Sequence, residues 1–191
     1  MRRLYLVRHA PTAATRAAAF PVDEPLDEAG RAAARAWHPP PCDEVLVSPA
    51  IRCRETASLA GLHEWENDTA LAECDFGTWG GSAVGAVDLG DWMTNPDSCQ
   101  HGGESLRAFA ARVAAWLDLQ ASLDSGRLVA VTHGGVVKAA LVHALGAPLE
   151  AFWQFDVAPL SVTELHCWDG RWTVTRTNAP AVARAAEVAA A

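Results

Sequence analysis

The sequence predicts an α/β sandwich of three layers, in which helices cover both faces of a mostly parallel central sheet that has an antiparallel edge strand. Two patterns predict this class. Short apolar strands alternate along the chain with helical segments, as in parallel sheets joined by crossover helices. The chain then ends in a strand–turn–strand pattern, which adds the antiparallel edge. Its 191 residues suit one domain, expected over 1–180, with an alanine-rich tail over 181–191.

The first half of the chain begins with a buried strand. Leu4 to Val7 is short and fully apolar, and Val45 to Val47 predicts a second strand of the same kind. Between them, Pro11 to Pro25 has no clear periodicity and predicts a long loop. Leu26 to Trp37 then predicts a helix, which ends before the prolines Pro39 to Pro41.

A second helix is predicted directly after the second strand. Ser48 is favoured as its N-cap and Pro49 as its first residue, and the helix is expected to run to about Ala60. The glycines of Gly77 to Gly81 then break the chain. The segment 82–102 that follows has little pattern and is expected to be either a short lid or a short helix followed by a loop.

The second half of the chain is more strongly patterned. From Glu104, apolar residues recur on one face of a helix. Leu128 to Val131 predicts a third buried strand, and an apolar helix over Val136 to Leu145 follows it. Ser161 to His166 and Trp172 to Arg176 predict a hairpin that turns at Asp169-Gly170.

The charge and the cysteine content of the chain limit the binding partners and the cellular compartment that are expected for the protein. A net charge of −8 argues against nucleic acid and anionic membranes as partners, since both attract basic surfaces. No apolar run approaches the roughly 20 residues that span a bilayer. The five cysteines are scattered and form no CxxC pair, which favours reduced thiols in the cytoplasm over disulfides or a metal site. Whether the protein forms a homodimer is left open.

Polar residues follow three of the predicted strands. Arg8-His9 follow the first, Arg52 lies just after the second, and His133 follows the third. Ligands of open α/β sheets bind at the carboxyl ends of the strands, so these residues are expected to converge. Arginine forks bind phosphate oxygens, and free backbone N–H groups near Gly134 would add donors. The pattern therefore predicts a phosphate pocket in an otherwise acidic chain.

Two histidines in such a pocket indicate a reaction. A neutral imidazole can attack phosphorus, and arginines can offset the charge on the phosphoryl oxygens. The leaving alkoxide then needs a proton from a nearby carboxylic acid. Glu73, just before the glycine turn, is the first candidate for that acid, and Asp75 is the competitor.

Five ordered blocks resemble the histidine phosphatase superfamily, the phosphoglycerate-mutase-like enzymes, and in particular its small bacterial phosphatases. The similarity extends from Leu4 to about Asn178. The blocks are Leu4 to Ala10, Ser48 to Ala57, Leu71 to Gly81, Gly103 to Ser105 and Val131 to Gly135.

The resemblance implies a role for each of these residues. His9 would be the phosphorylated nucleophile and Glu73 the proton donor, while Arg8, Arg52 and His133 would hold the phosphoryl group. No metal or other cofactor would be needed. Two positions depart from the family pattern. Ala10 replaces the usual glycine, which is tolerable only where φ is not positive. Thr15 stands where an asparagine often contacts phosphate, and its hydroxyl could donate one hydrogen bond.

The expected activity is that of a metal-independent phosphomonoesterase acting on a small phosphorylated metabolite. Only about twenty residues separate the acid block from the long helix, which favours an open site and hydrolysis over a mutase. A protein-phosphohistidine phosphatase and a non-catalytic phosphate-binding module remain as alternatives. A pocket roofed by Trp79, Trp92 or the Pro11 to Pro25 loop would favour a small substrate over a protein. Trp153 is expected to pack against a helix or another subunit.

Overall fold

The computed structural model describes residues 1–123 and 125–180. The alanine-rich tail predicted over 181–191 therefore lies outside the described residues. The strands are β1 (Arg2–Arg8), β2 (Glu44–Val47), β3 (Glu66–Asn67), β4 (Gly126–Thr132), β5 (Ser161–Trp168) and β6 (Arg171–Pro180). The α-helices are α1 (Ala13–Arg16), α2 (Glu28–Ala36), α3 (Ile51–Leu59), α4 (Gly90–Thr94), α5 (Leu106–Ser122) and α6 (Gly134–Ala144). Short 3-10 helices cover Thr69–Leu71, Gly77–Trp79, Val84–Ala86 and Leu149–Gln154.

The strands form one six-stranded sheet in the order β3-β2-β4-β1-β5-β6. The first four strands in this order are parallel, whereas β5 pairs antiparallel with β1 and β6 pairs antiparallel with β5. This confirms the predicted fold class, and both strands of the predicted hairpin contribute to its antiparallel edge.

Helices cover both faces of the sheet, which explains why the centre of β4, Leu128 to Val131, is wholly apolar. Leu128 and Ala130 face the cluster built with α5 and α6, whereas Val129 and Val131 face the cluster built with α2 and α3. All four side chains are fully buried. A strand with both faces covered has no solvent side, so its hydrophobic pattern is continuous rather than alternating.

The predicted start of α3 is wrong. Its N-cap is Ala50, which makes no side-chain capping bond, and its first helical residue is Ile51. The hydroxyl of Ser48 lies 2.8 Å from Nε2 of His133. Only a long contact of 3.5 Å joins that hydroxyl to the N–H of Ala50. Ser48 was thus expected as a local cap but bonds across the sheet edge.

Two further elements were not predicted. The segment expected to be a continuous loop contains α1, whose N-cap Thr12 accepts a hydrogen bond from the N–H of Thr15. The edge strand β3 has only the two residues Glu66–Asn67, both exposed, so it carries no hydrophobic pattern that could have indicated it.

Strand register brings three strand ends together. Arg8 pairs with Thr132, and Val47 pairs with Val131, so β1, β4 and β2 all end at the same edge of the sheet. The residues that follow them, His9, Ser48 and His133, therefore emerge side by side. This is the edge at which open parallel sheets bind ligands.

Among the described residues, no helix combines the length and the apolar character needed to cross a membrane.

Candidate active site

His9 follows β1 and lies at the wall of a cavity of about 340 Å³. Its Nδ1 is 2.7 Å from the carbonyl oxygen of Ala10, which can only accept, so Nδ1 carries the proton. Nε2 is therefore left with its lone pair. Burial, followed by the charges of Arg52 and Arg8, lowers the pKa of His9 to about 3. The ring is thus neutral near pH 7, as a nucleophile must be.

His133 follows β4 and packs edge-on against His9, with 5.3 Å between the ring centroids. Nη2 of Arg52 can only donate, and it lies 3.2 Å from Nδ1 of His133, so Nδ1 is the acceptor. Nε2 then carries the proton and donates to the hydroxyl of Ser48. Burial, and next the neighbouring His9 and Arg52, hold the pKa of His133 well below its usual value. Both ring nitrogens are thus engaged, and His133 does not line the cavity.

Two arginines beside His9 each have a buried N–H group without a partner in the described part of the chain. Arg52 donates from Nη1 to the carbonyl of Val22 over 2.7 Å, and Arg8 donates from Nη1 to the carbonyl of Val157. Nε of each arginine is buried and makes no hydrogen bond within residues 1–123 and 125–180. Burying an unpaired donor is costly, so both groups favour an acceptor of negative charge.

The two candidate carboxylates lie in different surroundings. Glu73 lines the same cavity as His9, and its Oε2 accepts from the N–H of Gly135 over 3.2 Å. Asp75 is exposed, and its Oδ1 accepts from the N–H of Gly77 over 2.9 Å. Asp75 borders a second, more open cavity that His9 does not reach. The fold therefore brings Glu73, but not Asp75, to the cavity of His9.

Arg112 on α5 holds the segment that carries Glu73. Its guanidinium makes two hydrogen bonds to the carboxylate of Glu104, at 3.0 and 2.7 Å. It also donates to the carbonyl oxygens of Ala70 at 2.8 Å and Ala72 at 3.0 Å. The long helix thus anchors the chain on the N-terminal side of the carboxylate.

The rest of the cavity is mostly apolar and is roofed by the predicted lid and loop. Val84, Leu89 and Trp92 of the lid segment line it. Trp79 does not; it packs behind Trp92 with 5.8 Å between the ring centroids. The remaining apolar lining comes from Ala14, Ala19, Phe20, Pro21, Phe76, Leu106, Phe109, Phe152, Trp153 and Val157.

Two more of the predicted phosphate-contacting residues border this cavity, whereas Arg52 borders the second cavity. Thr15 lines it, with its hydroxyl 3.1 Å from that of Thr12. Gly134 lines it at the start of α6, where an added Cβ would lie 3.4 Å from Nε of Arg8. Ala10 is fully buried and does not have the left-handed backbone that favours glycine, so alanine fits at this position.

Sequence reasoning missed three residues of the cavity. Glu24 accepts from the hydroxyl of Thr12 over 3.1 Å and lies 3.8 Å from Nη1 of Arg52. Lys138 lies on α6, and its helical spacing from Gly134 could have indicated it. Trp153 packs against a helix as expected, since its ring centroid lies 5.0 Å from that of Trp92 on α4, but its place in the lining of the cavity was not predicted.

Within the described ranges, no three or more His, Cys, Asp or Glu side chains are grouped so that they could hold a metal ion.

Comparison with known proteins identifies the family. The family model of the histidine phosphatase superfamily, branch 1, matches residues 4–180. The chain belongs to this superfamily. It is 30% identical over 183 residues to adenosylcobalamin/alpha-ribazole phosphatase of Salmonella typhimurium, covering 87% of this chain and 88% of that protein. It is 29% identical over 198 residues to putative phosphoserine phosphatase 2 of Hydrogenobacter thermophilus, covering 93% and 96%.

A solved structure agrees with the family assignment. The mycobacterial glucosyl-3-phosphoglycerate phosphatase in complex with VO3 superposes with a TM-score of 0.79 at 25% identity, over 94% of this chain and all of that chain (100%). These relatives are named as phosphatases of small phosphorylated molecules. The family and the phosphatase class predicted from the five sequence blocks are thus confirmed for this histidine phosphatase.

Proposed function

We propose that this histidine phosphatase hydrolyses a small phosphate monoester through a phosphohistidine on His9. One observation carries the proposal: the hydrogen bond to Ala10 fixes His9 as the Nδ1–H tautomer at the wall of the cavity. This tautomer leaves Nε2 unprotonated. A neutral ring needs no base to activate it.

In the first step, the lone pair of His9 Nε2 attacks phosphorus and the P–O bond to the substrate alcohol breaks. The departing oxygen takes a proton from the carboxylic acid of Glu73. Glu73 is the better candidate for this role because it shares the cavity with His9, whereas Asp75 does not. The protonated form of Glu73 is needed only while it donates, and the same group then becomes a base.

In the second step, water attacks the phosphohistidine and the carboxylate of Glu73 takes the proton from that water. The P–N bond breaks, its electron pair returns to Nε2 of His9, and inorganic phosphate leaves. The charge on the three equatorial oxygens is offset by Arg8 and Arg52, whose Nε–H groups have no partner among the described residues and are suited to phosphate oxygens.

The remaining phosphate contacts have distinct roles in this proposal. The hydroxyl of Thr15 and the backbone N–H of Gly134 each donate one hydrogen bond to the phosphoryl group. The role of His133 as a direct phosphate ligand stays a prediction. Its hydrogen bond to Arg52 supports a second role, in which His133 holds the guanidinium in place while its own imidazole stays neutral.

The shape of the cavity supports a small substrate over a phosphorylated protein. Trp92 from the lid segment and Phe20 from the loop after α1 both line it, so a phosphohistidine on a folded protein would meet these side chains first. The names of the relatives agree with a substrate of metabolite size. The short lid segment favours hydrolysis over mutase chemistry, because water must reach the phosphohistidine.

A cytoplasmic location is supported by the five cysteines, all of which are free thiols. Formation of a homodimer stays open, and light scattering on the purified protein would decide it.

The test is hydrolysis of 4-nitrophenyl phosphate with EDTA present, by the wild type and by His9→Ala. We expect chelator-resistant activity that is lost in His9→Ala, and a wild type quenched in alkaline SDS that retains labelled phosphate on a base-stable, acid-labile bond. Thermal unfolding with and without inorganic phosphate checks that the variant is folded. Activity that persists in His9→Ala, or that EDTA abolishes, would overturn the proposal.

A further inference from the structure

Lys138, the only lysine of the chain, lies on α6 and lines the cavity that holds His9. It stands four residues after Gly134 and three after Gly135, so all three lie on the same face of the helix. Gly134 adjoins Arg8 and Gly135 adjoins Glu73. Lys138 therefore occupies the next turn of the helix, beyond the residues proposed to bind phosphate.

The distance along the helix separates Lys138 from the phosphoryl group. At 1.5 Å per residue, four residues place its Cα about 6 Å further along the axis than that of Gly134. From that position the flexible side chain can bring its ammonium to a group attached to the phosphate, within the same cavity.

The ammonium of Lys138 has no charged partner in the described ranges. No carboxylate of those residues lies within 4.0 Å of it, although Asp156 and Glu73 border the same cavity. Its Nζ lies over the ring of Phe152, 5.5 Å from the centroid. Burial lowers the pKa of Lys138, while Asp156 and Glu73 oppose that change.

An unpaired, half-buried ammonium among aromatic side chains is costly unless a ligand supplies negative charge. The aromatic rings near it would contact an apolar body. The cavity thus combines three features: Arg8 beside His9, aromatic walls, and a second cation at Lys138.

We propose that Lys138 determines specificity by binding a second anionic group, a carboxylate, on the alcohol portion of the substrate. This inference rests on the proposed phosphatase function and specifies its substrate class: a phosphate monoester whose leaving alcohol carries a carboxylate on a partly apolar body.

The test compares two aryl esters that differ only in charge, 4-(carboxymethyl)phenyl phosphate and its methyl ester. Their leaving phenols are electronically similar, so chemistry alone gives similar rates. Because a hydrogen bond to a charged group is among the stronger kinds, we expect the wild type to favour the carboxylate by about tenfold in kcat/KM. Lys138→Met should remove or reverse that preference, mainly through KM, and Lys138→Arg should keep part of it.

Arg35→Met is the matched control, because it removes one exposed positive charge on α2, away from the cavity. We expect it to keep the preference of the wild type, which separates a local contact from the effect of net charge. Lys138→Gln is the second variant if Lys138→Met does not fold.

The outcomes distinguish this inference from the function on which it rests. Hydrolysis of both esters without preference by the wild type, or a preference unchanged in the folded Lys138 variants, overturns the role of Lys138 and leaves the phosphatase proposal standing. Hydrolysis of neither ester by the wild type counts against the proposed function, and the inference falls with it.

Discussion

The N–H of Gly135 donates to Oε2 of Glu73 over 3.2 Å, and a Cβ at position 135 would lie 2.2 Å from Oε1 of the same carboxylate. Glycine at this position therefore lets the first turn of α6 approach the carboxylate closely enough to bind it. The same turn begins at Gly134, directly after His133. The position of the proposed acid thus depends on a residue that carries no side chain.

Gly135→Ala should displace the carboxylate of Glu73 without unfolding the protein. The closest atoms to the added methyl belong to the end of the Glu73 side chain, the buried ring of Phe109 at 3.2 Å needs only a small shift, and alanine is favoured over glycine inside a helix by about 1 kcal/mol. We expect kcat to fall about tenfold or more on alkyl esters, with a smaller loss on 4-nitrophenyl phosphate, because a good leaving group needs little help from an acid. Steady-state kinetics on both esters measure this difference.

The double variant Gly135→Ala/Glu73→Gln is the control for that prediction. If the methyl acts by displacing Glu73, the double variant should be no slower than Glu73→Gln alone. If the losses in kcat of the two single variants multiply in the double variant, Gly135→Ala acts through something other than the carboxylate.

Glu73→Gln and Asp75→Asn should differ strongly in their effect on poor leaving groups. General acid catalysis contributes about 100-fold to 10,000-fold, so we expect Glu73→Gln to lose rate in that range on alkyl esters. Asp75→Asn should lose little, because its remaining oxygen still accepts from the N–H of Gly77. A larger loss in Asp75→Asn, measured on the same esters, would reverse the assignment of the acid.

Ala10→Gly should destabilise the protein without raising activity. Ala10 is fully buried, its backbone does not need positive φ, and its N–H donates to the hydroxyl of Thr56 over 3.0 Å. Glycine would add backbone freedom to the unfolded chain, at a cost of about 1 kcal/mol in the free energy of unfolding. Urea unfolding and kcat, measured together, check both parts. A rise in kcat would mean that alanine at this position restrains the nucleophile.

Acid should weaken the fold through its buried histidines. His9 and His133 lie at the proposed site, and burial also lowers the pKa of the fully buried His101. The pKa of His9 falls to about 3 in the folded protein, and that of His133 lies well below its usual value, while both return to about 6.5 on unfolding. Below pH 6.5 the unfolded chain therefore binds protons that the folded chain does not. Each such proton lowers the free energy of unfolding by up to about 1.4 kcal/mol per pH unit. Above pH 6.5 these histidines do not reduce the free energy of unfolding. As the pH falls from 6.5 towards 3, they reduce it progressively.

Urea unfolding in phosphate-free buffer at pH 7.5 and pH 5.5 measures this loss, since few carboxylates titrate in that range. His9→Gln should show a smaller loss than the wild type, because one of the buried titrating groups is gone. His63→Gln, which removes an exposed histidine, should behave as the wild type. An equal loss in His9→Gln would mean that His9 is not held neutral by burial.

The sequence predicted the fold well where a pattern is repeated over many residues. The apolar runs of β1 and β4 and the periodic face of α5 are physical requirements of a covered sheet, so they are visible in the chain itself. It failed where the determinant is a single contact between distant residues. Ser48 has the chemistry of a helix cap, and nothing local indicates that its hydroxyl binds His133, 85 positions away.

The same limit applies to the cavity. Nothing in the sequence distinguished Trp79 from Trp92 as the residue that covers the cavity. Of these two, only Trp92 lines it, because Trp79 packs behind Trp92. Lys138 and Trp153 come later in the chain than the lid segment. They line the cavity because of the way in which α6 and the 3-10 helix Leu149–Gln154 pack near that segment.

The sequence by itself determined the layered sheet, the family and the types of residue at the strand ends. Hydrophobic periodicity and short motifs depend only on residues that are close together in the chain, so the sequence shows them directly. Only the tertiary structure decided between Glu73 and Asp75 as neighbour of His9, assigned the ring protons of His9 and His133, and placed Lys138 beside an aromatic wall. Hydrogen-bond partners, burial and the resulting pKa values depend on distances between residues far apart in the chain, and folding alone sets those distances.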